Sequence, residues 1–246
     1  MLKIRKFHFL CFSLKNENGV ATVFALLALA VLSGIGIYSM TTSQIETQVA
    51  TNDVLYKKAF YAAEGGTGIG WEMIEQNLSC MGQFPSSALN SDNELELESA
   101  SGTSFFRVTD PDFSLQESSD MDDDSDGTLQ DAEITPSDTR KDLWFGDSNY
   151  SFADYDTNGD GTIDPANDNM NLPHTNVLAF GDTELSTGSA ILMASGYAGK
   201  GKGAGAGGGK IVYQIHSRNE YPARNSDSHI LVEYRHLIGQ EGDCEF

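Results

Sequence analysis

The chain has 246 residues, 39% of them hydrophobic, and 36 acidic side chains against 15 basic ones give a formal net charge of −21. So acidic a chain has no basic patch with which to neutralise phosphates, which excludes nucleic acid as a partner. Roughly 180 residues follow the N-terminal region, enough for one domain with a real core.

Residues 1–19 read as a basic leader ending in Asn16-Glu17-Asn18-Gly19, where Lys3, Arg5, Lys6 and Lys15 outnumber Glu17. Removing it would leave the rest of the chain near −24, because the leader carries a surplus of three positive charges. Val20 to Met40 are 21 residues without a charge, the length and composition of a membrane-spanning helix. The basic leader fits retention on the cytoplasmic side. A secretory signal is cut after its apolar region, whereas here the polar break precedes it. Cleavage at Gly19 would therefore keep the apolar helix on the mature chain.

From Met40 to about Asn77 the helix is expected to continue. Ile45, Val49, Leu55, Ala59 and Ala62 recur at helical spacing, while Gln44, Glu46, Lys57 and Lys58 fall elsewhere. Gly65, Gly66 and Gly68 predict a break or kink. Gly34 and Gly36 lie in the apolar span, where small residues let helices approach closely. The expected organisation is a leader at 1–19, a helix over 20–77 with 20–40 in the membrane or a filament core, and a head over 78–246.

Gly19 with the apolar run behind it, followed by Ala59-Phe60-Tyr61-Ala62-Ala63-Glu64-Gly65, resembles the PilX-type minor pilins of type IV pilus assembly. The resemblance implies that a prepilin peptidase cuts between Gly19 and Val20 and methylates the new N-terminus. It implies a single-pass protein of the bacterial inner membrane that later joins the pilus at the cell surface. There its helix would pack with other pilins and minor pilins. The implied fold is α+β and type IV pilin-like, a long helix on an antiparallel sheet.

Major pilins carry a glutamate at the fifth mature position, where this chain has Phe24. A carboxylate in the bilayer is costly unless paired, and a tip subunit has no further subunit to pair with. Phe24 therefore favours a tip or initiating position, with the head displayed for adhesion or contact with a tip adhesin. The minor pseudopilin that caps type II secretion pseudopili shares this loss and is the alternative. A membrane-anchored calcium-binding protein unrelated to filaments is a third reading.

Cys11 would leave with the leader, so Cys80 and Cys244 remain as an even pair in an oxidising compartment and are expected to form a disulfide. Short strands are expected at Ser104–Thr109, Asn176–Phe180 and Ala190–Ala194. The strongest pair is Lys210–His216 with His229–His236, in which Ile211, Tyr213 and Ile215 alternate, as do Ile230, Val232 and Tyr234.

Two acidic loops, within an insertion over about 110–175, carry the clearest chemistry. Set against the EF-hand pattern, Asp122, Asp124 and Asp126 occupy positions 1, 3 and 5 and Gly127 the turn. Thr128 offers its carbonyl, Leu129 is the apolar residue, Gln130 stands at position 9 and Glu133 at position 12. Hard oxygen donors at alternate residues suit calcium, and the glycine allows the turn that brings later ligands round. The second loop runs Asp156, Asn158, Asp160, Gly161, Thr162, Ile163 and Asp164, with Asn167 at position 12. Asp168 or Asp164 could close it, and Pro165 argues against an ordinary exiting helix. Two calcium ions with a structural role are expected, against the alternative of disordered acidic loops. Flanking helices look absent, with Pro111 and Pro136 nearby.

Gly196 to Lys202 fits Gly-x4-Gly-Lys, but Gly203 stands where a nucleotide loop needs Ser or Thr, and more glycine runs to Gly209. A flexible loop over 196–209 and no nucleotide is the expectation. No nucleophile has a recognisable base, so catalysis is not expected. Zinc at His216 and His229 is a minor alternative.

Overall fold

A computed structural model describes residues 19–90, 93–98, 105–160, 163, 167–185, 209–238 and 244. The expected leader up to Asn18, the strand at Ala190–Ala194 and the glycine-rich loop before Gly209 lie outside the described residues. The chain divides after Asp53 into two units. Helix α1, Val20–Ser79, contributes to both.

In the first unit α1 is helical from Val20 onward and presents its apolar side chains outward, among them Phe24, Leu27 and Ile35. It is long and apolar enough to cross a membrane, with a mean hydropathy of 2.5 in its most apolar window.

The second unit is α+β. The remainder of α1 is followed by β1 (Leu95–Glu98), β2 (Phe105–Val108), β3 (Leu143–Gly146), β4 (His174–Leu185), β5 (Gly209–Tyr221) and β6 (Ser226–Leu237). These form one antiparallel sheet in sequence order, so each strand pairs with the next. The long strands carry the sheet: β4 pairs with β5 from His174↔Glu220 to Leu185↔Gly209, and β5 with β6 from Lys210↔Leu237 to Tyr221↔Ser226. A turn at Pro222–Arg224, with Asn225 left-handed at φ 49°, joins the last two.

Ala59, Ala63, Gly66, Gly70, Met73, Ile74 and Asn77 are the buried stripe of α1. Their three-to-four spacing places them on one helical face. Met73 and Ile74 pack with Phe84, Val108, Phe113, Leu143, Val177, Tyr213 and Ile215 in the main core. Burying such side chains is the chief drive to fold.

The glycines are where the expectation fails: α1 runs unbroken through Gly65, Gly66 and Gly68 to Ser79. Gly66 and Gly70 face the sheet, and a Cβ on Gly70 would lie 2.8 Å from Ile215 Cγ2 and 3.3 Å from Val177 Cγ1. Thr175 and Ser217 crowd Gly66 in the same way. These glycines serve close approach of helix and sheet, and the packing gained there offsets their poor helix propensity.

Asn77 fixes the end of the helix by donating from Nδ2 to Pro111 O at 2.8 Å, and Ser114 Oγ donates to its Oδ1. Just beyond, Cys80 and Cys244 are joined by a disulfide, with Cα atoms 4.7 Å apart. The Tyr213 hydroxyl donates to Ser114 O at 2.8 Å, tying the turn at Phe113–Leu115 over the sheet.

Candidate functional site

The first acidic loop leaves β2 and returns to β3; the second joins β3 to β4. Strand β3 thus runs through the middle of the 110–175 stretch. Contrary to expectation, short helices do flank the loops: α2 (Ser118–Met121) leads into the first, α3 (Asp131–Ile134) leads out, and α4 (Phe152–Tyr155) leads into the second. Each is a single turn whose third residue supplies a capping carboxylate. Asp120 accepts from Glu117 N at 2.9 Å, Glu133 from Gln130 N at 2.6 Å and Asp154 from Ser151 N at 2.7 Å.

In the first loop one carboxylate oxygen from each of Asp122, Asp124 and Asp126 lies within 4.8 Å of the others, so these three could hold a metal ion. The backbone wraps toward them. Asp126 N donates to Asp122 Oδ1 and to Asp124 Oδ1 at 3.2 Å each, and Gly127 N donates to Asp122 Oδ2 at 2.8 Å. Gly127 sits at φ 81°, a left-handed turn that a side chain disfavours.

Thr128 N donates to Asp126 Oδ1 at 2.8 Å, and Gln130 donates through Nε2 to Asp124 Oδ2 at 3.0 Å. Gln130 thus supports a carboxylate rather than joining the cluster. Glu133 also stands apart from the three aspartates. Buried at the base of the loop, it accepts from Asp123 N at 3.0 Å through Oε1 while Oε2 caps α3. Leu129 packs with Met121, Ile134, Leu178 and Phe180, anchoring the loop to the sheet. Arg140, which the sequence reading passed over, bonds Asp123 and donates to Met121 O at 3.0 Å.

The second loop repeats this plan. Gly159 N donates to Asp156 Oδ1 at 2.6 Å and Asp160 N to Asn158 Oδ1 at 2.7 Å. Ile163 packs with Trp144, Tyr155, Phe152 and Leu172, as Leu129 does in its own cluster. Thr157 N donates to Asp168 Oδ1 at 2.9 Å. Asp168 thus stands to Thr157 as Glu133 stands to Asp123, each accepting from the residue after the first aspartate. Gly161, Thr162 and Asp164 lie outside the described residues.

Beneath the first loop is a carboxylate pair. Asp142 is fully buried, accepting from Ala179 N at 2.6 Å and from Gln116 Nε2 at 3.2 Å. Burial pushes its carboxyl up to about 8, and nearby Asp110 adds to the rise. Asp110 shares Gln116 Nε2 at 2.6 Å and is raised to about 6, chiefly by burial. His216 Nδ1 lies 3.2 Å from His229 Nε2, and burial followed by that neighbour lowers His216 to about 4.

At the start of α1, Gly19 and Val20 are both exposed. The Gly19 carbonyl accepts from Val23 N at 3.3 Å and from the Thr22 hydroxyl at 3.0 Å, so the helix begins at the expected junction. Phe24 is 71% exposed on the next turn. Residues 18–67 match the family model described as PilX N-terminal. The PilX N-terminal match takes in the junction, the apolar run and Ala59 to Gly66, the first part of the helical face that packs on the sheet. It covers about a fifth of the chain. No curated protein and no solved structure matches the chain.

Proposed function

We propose that the chain is a minor pilin of a type IV pilus. The carrying observation is the PilX N-terminal match over a segment in which an exposed Gly19–Val20 junction opens a helix long and apolar enough to cross a membrane. On this reading prepilin peptidase cuts after Gly19 and methylates Val20, and α1 then passes from the inner membrane into the filament by packing with other pilins. Phe24, in place of an ionised residue, supports a tip or priming position, because no neighbour is needed to neutralise it.

The two acidic loops would hold calcium. Asp122, Asp124 and Asp126 are clustered and the loop amides wrap toward them, while Glu133 and Asp168, each accepting from the amide after its loop's first aspartate, would have to turn inward to close the sites. Oxygen-only donors at alternate residues are the set calcium uses. Bound ions would neutralise a strongly acidic part of the head and present it in one shape to a tip adhesin or a surface. The work is assembly and display rather than turnover.

Shearing pili from cells that carry a tagged copy tests this reading. The protein is expected in the pilus fraction at far fewer copies than the major pilin, and its deletion is expected to reduce piliation. Absence from pili together with loss of type II secretion would replace the pilus by a pseudopilus.

A further inference from the structure

Away from the acidic loops, three side chains converge at one end of the long strands. His174 opens β4, Glu220 is its register partner near the end of β5, and Asp138 comes from the turn closed by the Ser137↔Arg140 bridge. His174 Nε2 lies 2.9 Å from Asp138 Oδ1 and 3.9 Å from Glu220 Oε2, and one ligand atom from each residue falls within 4.8 Å of the others. We propose that these three residues form a binding site for a late first-row divalent ion such as zinc, separate from the calcium loops.

Each ligand is held by a second partner. His174 Nδ1 faces Leu172 O at 2.8 Å and so carries the ring proton, which leaves the lone pair on Nε2. The ring is sealed from solvent, and Nε2, 2.9 Å from Asp138 Oδ1 in what would be an ion pair if the ring were protonated, makes no hydrogen bond. A buried polar nitrogen in that state is costly. An ion resolves it: a nitrogen and an oxygen each about 2.0–2.1 Å from one zinc sit roughly 3 Å apart.

Trp144 stacks on the imidazole at 6.0 Å between centroids and fixes its plane. Asn176 Nδ2 donates to Asp138 Oδ1 at 3.3 Å, and Arg218 Nη2 takes Glu220 Oε1 at 2.9 Å, leaving Oε2 toward the histidine. The Asp138 and Glu220 side chains are 20% and 19% exposed, which leaves the site reachable from solvent. One imidazole with two carboxylates suits zinc better than calcium, which prefers oxygen alone.

The test uses the full chain in detergent, stripped of metal and then held in saturating calcium so that the acidic loops cannot compete. Titration with Co2+ is expected to produce the visible absorption of a four-coordinate site at one ion per chain, and Zn2+ is expected to displace it. His174→Gln and Glu220→Gln are each expected to weaken binding at least about tenfold. Glu220 is partly exposed, so Glu220→Gln is the variant expected to fold normally, with near-UV circular dichroism as the check. No visible band overturns the proposal and leaves His174 as an imidazolium paired with Asp138. A band that survives in a folded Glu220→Gln variant overturns it too, by placing the ion elsewhere. Neither result depends on whether the acidic loops bind calcium.

Discussion

Replacing glycine by alanine at two neighbouring points of α1 should have opposite effects. At Gly68 a Cβ meets nothing within 4 Å, so Gly68→Ala gains helix propensity alone, about 1 kcal/mol of stabilisation. At Gly70 the new Cβ would lie 2.8 Å from Ile215 Cγ2 and 3.3 Å from Val177 Cγ1, against an ordinary carbon contact of about 3.5–4.0 Å. Both neighbours are β-branched and stiff at χ1, and both sit in strands that are paired on either side. Overpacking of this kind costs about 1–3 kcal/mol, which outweighs the propensity gained. Gly70→Ala is therefore expected to lose about 1 kcal/mol net. Thermal unfolding of the full chain in detergent, followed by tryptophan fluorescence, compares the two variants under one condition. Equal stabilisation by both would refute the claim that glycine is required here for close approach to the sheet.

Three further outcomes follow from the same structure. The Cys80–Cys244 bond spans a sequence separation of 164, so Cys244→Ser should cost about 5 kcal/mol in the chain-entropy account, read as a lower denaturant midpoint. The Asp142 carboxyl is raised from 3.8 to about 8 in the folded state, so its contribution is fully present below pH 4 and is lost as pH rises toward 8. Asp142→Asn should accordingly flatten that slope and be more stabilising at pH 8 than at pH 5. Calcium at about ten times its dissociation constant should stabilise the head by roughly 1.4 kcal/mol per site, and chelator should reverse this. Glu133→Gln and Asp168→Asn should each remove one site's share, measured by calorimetric titration.

The long helix and the two strongest strands were legible because each carries its own period: the apolar run from Val20, and the alternations in β5 and β6. The glycines misled, because sequence does not reveal that Ile215 and Ser217 press against Gly70 and Gly66. Strand β1 alternates as Leu-Glu-Leu-Glu but is short and half glutamate, which strands disfavour, and β3, Leu-Trp-Phe-Gly, does not alternate. The turns α2, α3 and α4 escaped notice for a related reason: Asp120, Glu133 and Asp154 cap them, and the same acidic residues read equally well as ligands or as loop. In the first acidic loop the three aspartates are brought together as their spacing implies. The likeness of Asp168 to Glu133, each accepting from the amide after its loop's first aspartate, is not visible in the spacing, which leaves Asp164 and Asp168 as equal candidates. Asp138, His174 and Glu220 left no motif, since only strand register brings them together.

The most direct test of the central claim is the intact mass of the protein from cells with and without prepilin peptidase. The account predicts a chain that begins at methylated Val20 when the peptidase is present and keeps its leader when it is absent. The same uncut mass in both strains would contradict assignment as a pilin.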